Sequence, residues 1–181
     1  MKHTGNMTVT RENALSFPAV TEFYGHLIIG PGAELRAPGL VKIRGWLTVS
    51  PAAGFAAPHL GRVEGWVNLQ PESSIMAEHL TEITGDLTLG ADANHDLRSL
   101  GTVGGGIIVQ RDAVHDLEEL ESCSGLSLQQ HAVLGAPKLV RVNGSITLRE
   151  GAELRAPVLG HISGYYDGDA SATLFAPKFT S

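Results

Sequence analysis

Residues 45–69 read GWLTVSPAAGFAAPHLGRVEGWVNL, so the pentapeptide GWLTV at Gly45 returns as GWVNL at Gly65. A glycine in front of an apolar-x-apolar pair recurs along the chain every twenty residues as far as Gly125. One residue is then missing, and the same glycine returns twice more. Repetition at a period of this length is typical of solenoid proteins, in which each repeat packs only on its neighbours. The markers are Gly5, Gly25, Gly45, Gly65, Gly85, Gly105, Gly125, Gly144 and Gly164.

The spacing of apolar residues inside each repeat predicts strands. Segments such as WLTVS and DLTLG alternate apolar and polar residues, which indicates strands with one buried face. Prolines recur between these segments, where they favour corners and disfavour helices. Parallel strands of neighbouring repeats would lie about 4.8 Å apart. We therefore predict an all-β, parallel β-solenoid of about nine rungs in one domain, residues 1–181, with a closing turn at about 165–181.

The stretch LTEITGDLTLG, residues 80–90, resembles the receptor L-domain type of leucine-rich solenoid, whose repeats carry a comparable L-x-x-I-x-G-x-L-x-L pattern. The resemblance extends over every repeat and implies the same solenoid fold. Members of that family are mostly extracellular ligand-binding domains closed by disulfides. This chain has a single cysteine, Cys123, so the resemblance carries over for the fold and not for an extracellular receptor function.

Composition narrows the function classes. The formal net charge is −6, and residues 91–121 hold seven acidic residues against Arg98 and Arg111. A chain without a basic stripe lacks the electrostatic footprint of a nucleic-acid-binding protein, so we expect no nucleic-acid partner. The start MKHTGNMTVTREN lacks an apolar signal region, and no apolar run of membrane length follows it. We expect a cytoplasmic protein with no membrane partner and no cofactor.

The two tryptophans of the quoted stretch form the first candidate site. Trp46 and Trp66 hold equivalent positions on adjacent rungs, between His26 on one side and Asp86 on the other. Aromatic side chains aligned on an outer surface often mark an interface, although they also stabilise sheets by packing on each other. A stacked tryptophan pair can also bind a sugar. We predict a protein-interaction surface at Trp46, Trp66, His26 and Asp86, with carbohydrate as a weaker alternative.

Two adjacent repeats break the core pattern with histidine, and they form the second candidate site. ADANHDLRSL and RDAVHDLEEL carry histidine where other repeats carry a large apolar residue, and leucine where most carry alanine. If the leucines fill the vacated core, the imidazoles lie at a corner and bond to neighbouring aspartates. Alternatively, two imidazoles one rung apart could converge on a metal ion or act as acid and base. The residues of this acidic face are Asp92, His95, Asp96, Asp112, His115 and Asp116.

These observations favour a non-enzymatic interaction or scaffold module that self-associates or binds another protein. Solenoids need polar caps, and the caps here are thin, so we expect at least one end to be covered by another molecule. One alternative is an inhibitor of the immunity-protein type that masks a basic partner with its acidic face. The other alternative is a metal-assisted or carbohydrate-acting enzyme at His95 and His115.

Overall fold

A computed structural model describes residues 1–13 and 15–179, which stack into a parallel β-solenoid of about nine rungs of roughly 20 residues. The predicted fold class is confirmed. Most rungs contribute three short strands, one to each face of the solenoid, and every strand pairing in the described residues is parallel. A 3-10 turn, Arg11–Asn13, is the one helical element in the described part of the chain.

The first and second faces belong to one bent sheet. The first face holds β1 (Lys2–Thr4), β4 (Glu22–Tyr24), β7 (Lys42–Arg44), β10 (Arg62–Val63), β13 (Glu82–Ile83), β20 (Arg141–Val142) and β23 (His161–Ile162). The second face holds β2 (Met7–Val9), β5 (Leu27–Ile29), β8 (Leu47–Val49), β11 (Val67–Leu69), β14 (Leu87–Leu89), β21 (Ile146–Leu148) and β24 (Tyr166–Gly168). Two longer strands, β16 (Thr102–Val109) and β18 (Ser122–Leu128), run through the corner and join the two faces.

The third face consists of two separate sheets. The first contains β3 (Leu15–Ser16), β6 (Glu34–Arg36), β9 (Gly54–Ala56), β12 (Ser74–Met76) and β15 (Asn94–Asp96). The second contains β17 (Val114–Asp116), β19 (Val133–Gly135), β22 (Glu153–Arg155) and β25 (Thr173–Phe175). The ladder is therefore interrupted between β15 and β17, the two strands that carry His95 and His115.

The core is one continuous column of apolar side chains, because the inward residues of each strand lie directly above those of the rung below. Phe23, Ile43 and Val63 illustrate one such column, and each is at most 1% exposed. Small residues line one inward corner, where Ala33, Ala113 and Ser73 are each at most 1% exposed. The predicted core columns thus lie inside, while the outermost rungs leave Ile162 and Leu174 only partly buried.

The one-residue deletion lies inside a corner of the repeat. Val103 pairs with Cys123, but Gly106, rather than Gly105, pairs with Gly125. The rung that contains β18 therefore has one residue fewer at the corner between its first and second faces. The strand β18 runs through this corner without interruption. The last marker glycines resume the ordinary spacing beyond this point.

The segment expected to form a closing turn continues the ladder instead. β24 pairs with β21 and β25 pairs with β22, so residues 165–179 form a further rung. Residues 180 and 181 of that expected turn lie outside the described residues. No helix among the described residues is both long enough and apolar enough to cross a lipid bilayer.

Candidate functional site

Three aromatic rings stack along the corner between the first and second faces. The ring centroids of His26 and Trp46 are 3.4 Å apart with planes inclined by 12°. Those of Trp46 and Trp66 are 4.8 Å apart with planes inclined by 24°, which matches the expected rung spacing of about 4.8 Å. All three residues are half-buried, and the Trp46 ring has a stacked ring on both of its faces. A sugar platform needs an open ring face, which Trp46 does not offer.

The position that the tryptophans occupy has a structural role in other rungs. In four rungs the residue after the corner glycine accepts, through its side chain, a hydrogen bond from the backbone N–H at the same position of the next rung. His26 accepts from the Trp46 N–H at 3.4 Å, through Nδ1. The other three bonds are His26 N–H to Asn6 Oδ1 at 2.9 Å, Gly106 N–H to Asp86 Oδ1 at 2.7 Å and Tyr165 N–H to Ser145 Oγ at 3.2 Å.

Tryptophan cannot make this corner hydrogen bond. Its indole has a donor N–H and no acceptor, so Trp46 and Trp66 leave the corner of the next rung without the side-chain bond that Asn6, Asp86 and Ser145 provide. The two residues therefore give up a repeated stabilising contact and keep a large apolar surface partly exposed. At these two rungs the stacking of the rings takes the place of the side-chain hydrogen bond.

An acidic side chain and a bare stretch of backbone follow the aromatic stack. The Asp86 carboxylate leans toward the next rung, where a Cβ atom on Gly105 would collide with it. Glycine is thus required at this close approach. Gly106 and Gly125 continue the corner without side chains. At this end the stack is followed by one exposed carboxylate and then by a corner made of glycines.

Ionic side chains flank the stack on the first face. Arg44 Nη1 lies 3.4 Å from Glu64 Oε2, and both residues come two positions before a tryptophan on their own rung. The guanidinium of Arg44 also lies 5.0 Å from the centroid of the Tyr24 ring, within cation–π range. The Lys42 ammonium donates a hydrogen bond to Glu64 and lowers the pKa of that carboxyl group. These side chains give the corner a charged border.

The histidines of the second candidate site lie on strands β15 and β17 and not at a corner, where His115 is buried and His95 is half-buried. His115 is 5% exposed, its backbone pairs with the buried Leu134, and His95 pairs in the same way with Ile75. Their ring centroids are 5.0 Å apart. The hydrogen bond of His115 runs from Nε2 to the carbonyl oxygen of Gly90 at 2.9 Å, so the expected bonds from the imidazoles to aspartates are wrong.

Two of the four aspartates of the acidic face, Asp96 and Asp112, pair with residues outside the candidate site. Asp96 accepts two hydrogen bonds from the Arg98 guanidinium, at 2.7 and 2.6 Å, and this contact lowers its pKa. Asp112 lies 3.2 Å from Nδ1 of His131. Asp92 and Asp112 each lie in a turn, with φ of 54° and 58°. The part of the chain that the structure describes contains no group of three or more histidine, cysteine, aspartate or glutamate side chains placed to hold a metal ion.

The interruption of the third face coincides with additional side-chain volume. Leu97 and Leu117 are buried where the neighbouring rungs have alanine, as predicted, while His115 is buried as well and His95 is half-buried. These two rungs therefore hold more side-chain volume than their neighbours, and β15 does not pair with β17. A cavity of about 480 Å³ opens at this interruption. Its lining is formed by His95, Asp96, Leu97, Arg98, Asp116 and Glu118.

A second, more acidic groove lies beside the first face. Its volume is about 660 Å³, and three glutamates, Glu82, Glu119 and Glu121, contribute to its walls. The sequence indicated a local excess of acidic residues but not this groove, because Glu82 comes from a rung two below Glu121. The corner hydrogen bonds of Asn6, Asp86 and Ser145 were also not predicted. Polar residues directly after the marker glycine are the signal for them.

Comparisons with protein-family models, with curated proteins and with solved structures each give no match to this chain. The class defined by the fold is therefore the parallel β-solenoid, and the assignment of function depends on the aromatic corner and its surroundings.

Proposed function

We propose that this protein is a non-catalytic interaction or scaffold module that self-associates through the corner formed by His26, Trp46, Trp66 and Asp86. As part of the same proposal, its repeats are of the leucine-rich, receptor L-domain-like type, and it acts in the cytoplasm. The observation that carries the proposal is the three-ring stack, placed where other rungs use a small polar side chain.

The energetics of the corner support an interface. Tryptophan is among the residues that contribute most to protein–protein binding, because it buries a large apolar area with little loss of conformational freedom. The stack already fixes both indoles, so a partner would meet a rigid surface. Covering the ring edges would also remove exposed apolar area from water. These gains compensate for the corner hydrogen bonds that the tryptophans cannot make.

Molar mass by light scattering over a dilution series tests the proposal. We expect wild-type protein to form an oligomer, and the double variant Trp46→Asp/Trp66→Asp to associate about a hundredfold more weakly or more. Met76→Asp is the matched control, because Met76 is a large apolar residue, 61% exposed, on the third face. A monomeric wild type, or a tryptophan variant that associates like wild type, would refute self-association through this corner.

A further inference from the structure

We propose that the partner at the aromatic corner is a second copy of this chain, packed antiparallel about a two-fold axis that passes between the rungs of Trp46 and Trp66. The inference rests on the proposed function and adds the relative orientation of the two copies. It is carried by the distribution of charge along the solenoid axis and by the order of residues at the corner.

Charge is unevenly distributed along the axis. Residues 1–60, the first three rungs, hold five Lys/Arg against three Asp/Glu, a net charge of +2. Residues 61–120, the next three rungs, hold three Lys/Arg against eleven Asp/Glu, a net charge of −8. Residues 121–181 hold five of each and are neutral. Trp46 and Trp66 lie on the two sides of the boundary between the positive and the negative block.

A two-fold axis at that boundary places opposite charges together. It brings the first three rungs of one copy against the next three rungs of the other. On the first and second faces and the corner between them, the first three rungs carry a net charge of +2, from Lys2, Lys42 and Arg44 against Glu22. The next three rungs carry −2 there, from Arg62 against Glu64, Glu82 and Asp86, so opposite charges face each other at both ends of the contact. In a parallel arrangement each of these groups would face a group of the same sign. Juxtaposed like charges oppose association, whereas complementary fields favour and orient it. The antiparallel orientation is therefore the favoured one.

The corner residues are complementary under the same axis. The rung of Trp46 faces that of Trp66 of the second copy, and His26 comes opposite Asp86 of the second copy. Because Nδ1 of His26 accepts the Trp46 N–H, the ring proton is on Nε2, which is free to donate to a carboxylate. Beside the stack, Arg44 comes opposite Glu64 of the second copy. Because of the two-fold symmetry, each of the contacts in this paragraph occurs twice in the dimer.

The contact is self-complementary and closed. Each copy supplies the same surface, so a two-fold axis yields a dimer and not a filament. Both copies place the half-buried aromatic stack at the centre of the contact and charged groups at its border, the usual arrangement in protein interfaces.

Charge reversal beside the stack tests the orientation and leaves the three rings intact. In the antiparallel dimer Arg44→Glu places two glutamates opposite each other, and Glu64→Arg places two arginines opposite each other. Each single variant also removes the 3.4 Å Arg44–Glu64 ion pair within its own chain, and the double variant restores that pair, so distances between spin labels decide the orientation. We expect each single variant to dimerise about tenfold more weakly or more, and the double variant Arg44→Glu/Glu64→Arg to recover wild-type strength. Glu34→Arg and Arg36→Glu, on the exposed side of β6, are the matched controls and should dimerise normally.

Distances between spin labels test the orientation independently of stability. With labels at residue 8, the two copies of the label should be about five rungs apart along the axis, roughly 24 Å, and with labels at residue 147 about nine rungs, roughly 43 Å. A parallel dimer gives the same axial offset at both positions. Equal offsets, or single variants as strong as wild type, would overturn the antiparallel contact while the proposed function stands. A monomeric wild type would overturn both.

Discussion

The Nε2 atom of His115 lies 2.9 Å from the carbonyl oxygen of Gly90, which belongs to the preceding rung. This bond satisfies one nitrogen of an imidazole that is 5% exposed inside an otherwise apolar column. The His95 ring lies beside it with a centroid distance of 5.0 Å. A buried imidazole beside a half-buried one makes the stability of these two rungs sensitive to protonation.

Acid should destabilise the fold through His95. Burial, together with the nearby His115, lowers the pKa of His95 to about 4, and burial also lowers the pKa of His115. The unfolded chain therefore binds more protons than the folded chain below the unfolded pKa of about 6.5. The stability that depends on neutral His95 is fully present above about pH 6.5 and is lost as the pH falls toward 4. The greatest loss in the free energy of unfolding from this residue is about 3 kcal/mol.

Urea unfolding of wild type and His95→Leu at several pH values measures this effect. Leucine restores the apolar column, so the variant should lose less stability than wild type between pH 6.5 and 4. His59→Leu, at an exposed corner, is the control and should show the wild-type pH dependence. Parallel pH profiles for wild type and His95→Leu would contradict the assignment.

Replacing Ser73 should raise stability. Its side chain is 1% exposed in a column where the adjacent rungs have Ala53 and Ala93, and its hydroxyl has no hydrogen-bond partner in the described part of the chain. Removing a buried hydroxyl without a partner should add about 1 kcal/mol to the free energy of unfolding. Chemical denaturation of Ser73→Ala measures the gain. Ser74→Ala, on the outward side of β12, should be nearly neutral, and a loss of stability in Ser73→Ala would show that the hydroxyl is satisfied.

Glycine at residue 52 should also stabilise the protein. Ala52 has φ of 55°, a left-handed conformation that a Cβ atom disfavours and that glycine adopts freely. Equivalent positions are glycine at Gly32 and Gly151. Ala52→Gly should raise the melting temperature through a gain of about 0.5 to 1 kcal/mol. Ala56→Gly, in β9 of the same rung, should lower stability by a similar amount, and equal losses in both variants would rule out strain at Ala52.

The single thiol should report on opening of the core. Cys123 is 1% exposed, and burial raises its pKa to about 12, so native protein should hold almost no accessible thiolate. We expect an aromatic disulfide reagent to react with one thiol per chain only in denaturant. A cysteine introduced at exposed Ser171 provides the positive control. Rapid reaction of Cys123 in native protein would show that this column opens readily.

The sequence predicted the solenoid because its repeat keeps the same residue types at the same positions, and parallel stacking then places like residues together. The stack of Trp46 on Trp66 followed from the same register. The glycine spacing alone placed the deletion after Gly125, whereas the pairing of Gly106 with Gly125 places it before that residue. The apolar residues carry the same information, because Ile107 and Leu126 are nineteen residues apart.

The surroundings of the histidines were predicted less well, for a physical reason. The pattern placed Leu97 and Leu117 in the core but could not show whether the imidazoles would leave it. Expulsion would have kept the core volume constant, but a hydrogen bond to Gly90 keeps His115 inside and the sheet separates instead. Whether a core adapts by moving a side chain or by opening its backbone depends on local contacts that a repeat pattern does not contain.

The missing pairing between β15 and β17 has a mechanical consequence. The rungs before this interruption and the rungs after it are joined by continuous hydrogen bonding on the first and second faces but not on the third. If the solenoid bends at this point, the two sheets of the third face can move apart or together without loss of backbone hydrogen bonds between them. The rod should therefore flex about this hinge, and amide hydrogens should exchange fastest along its open side.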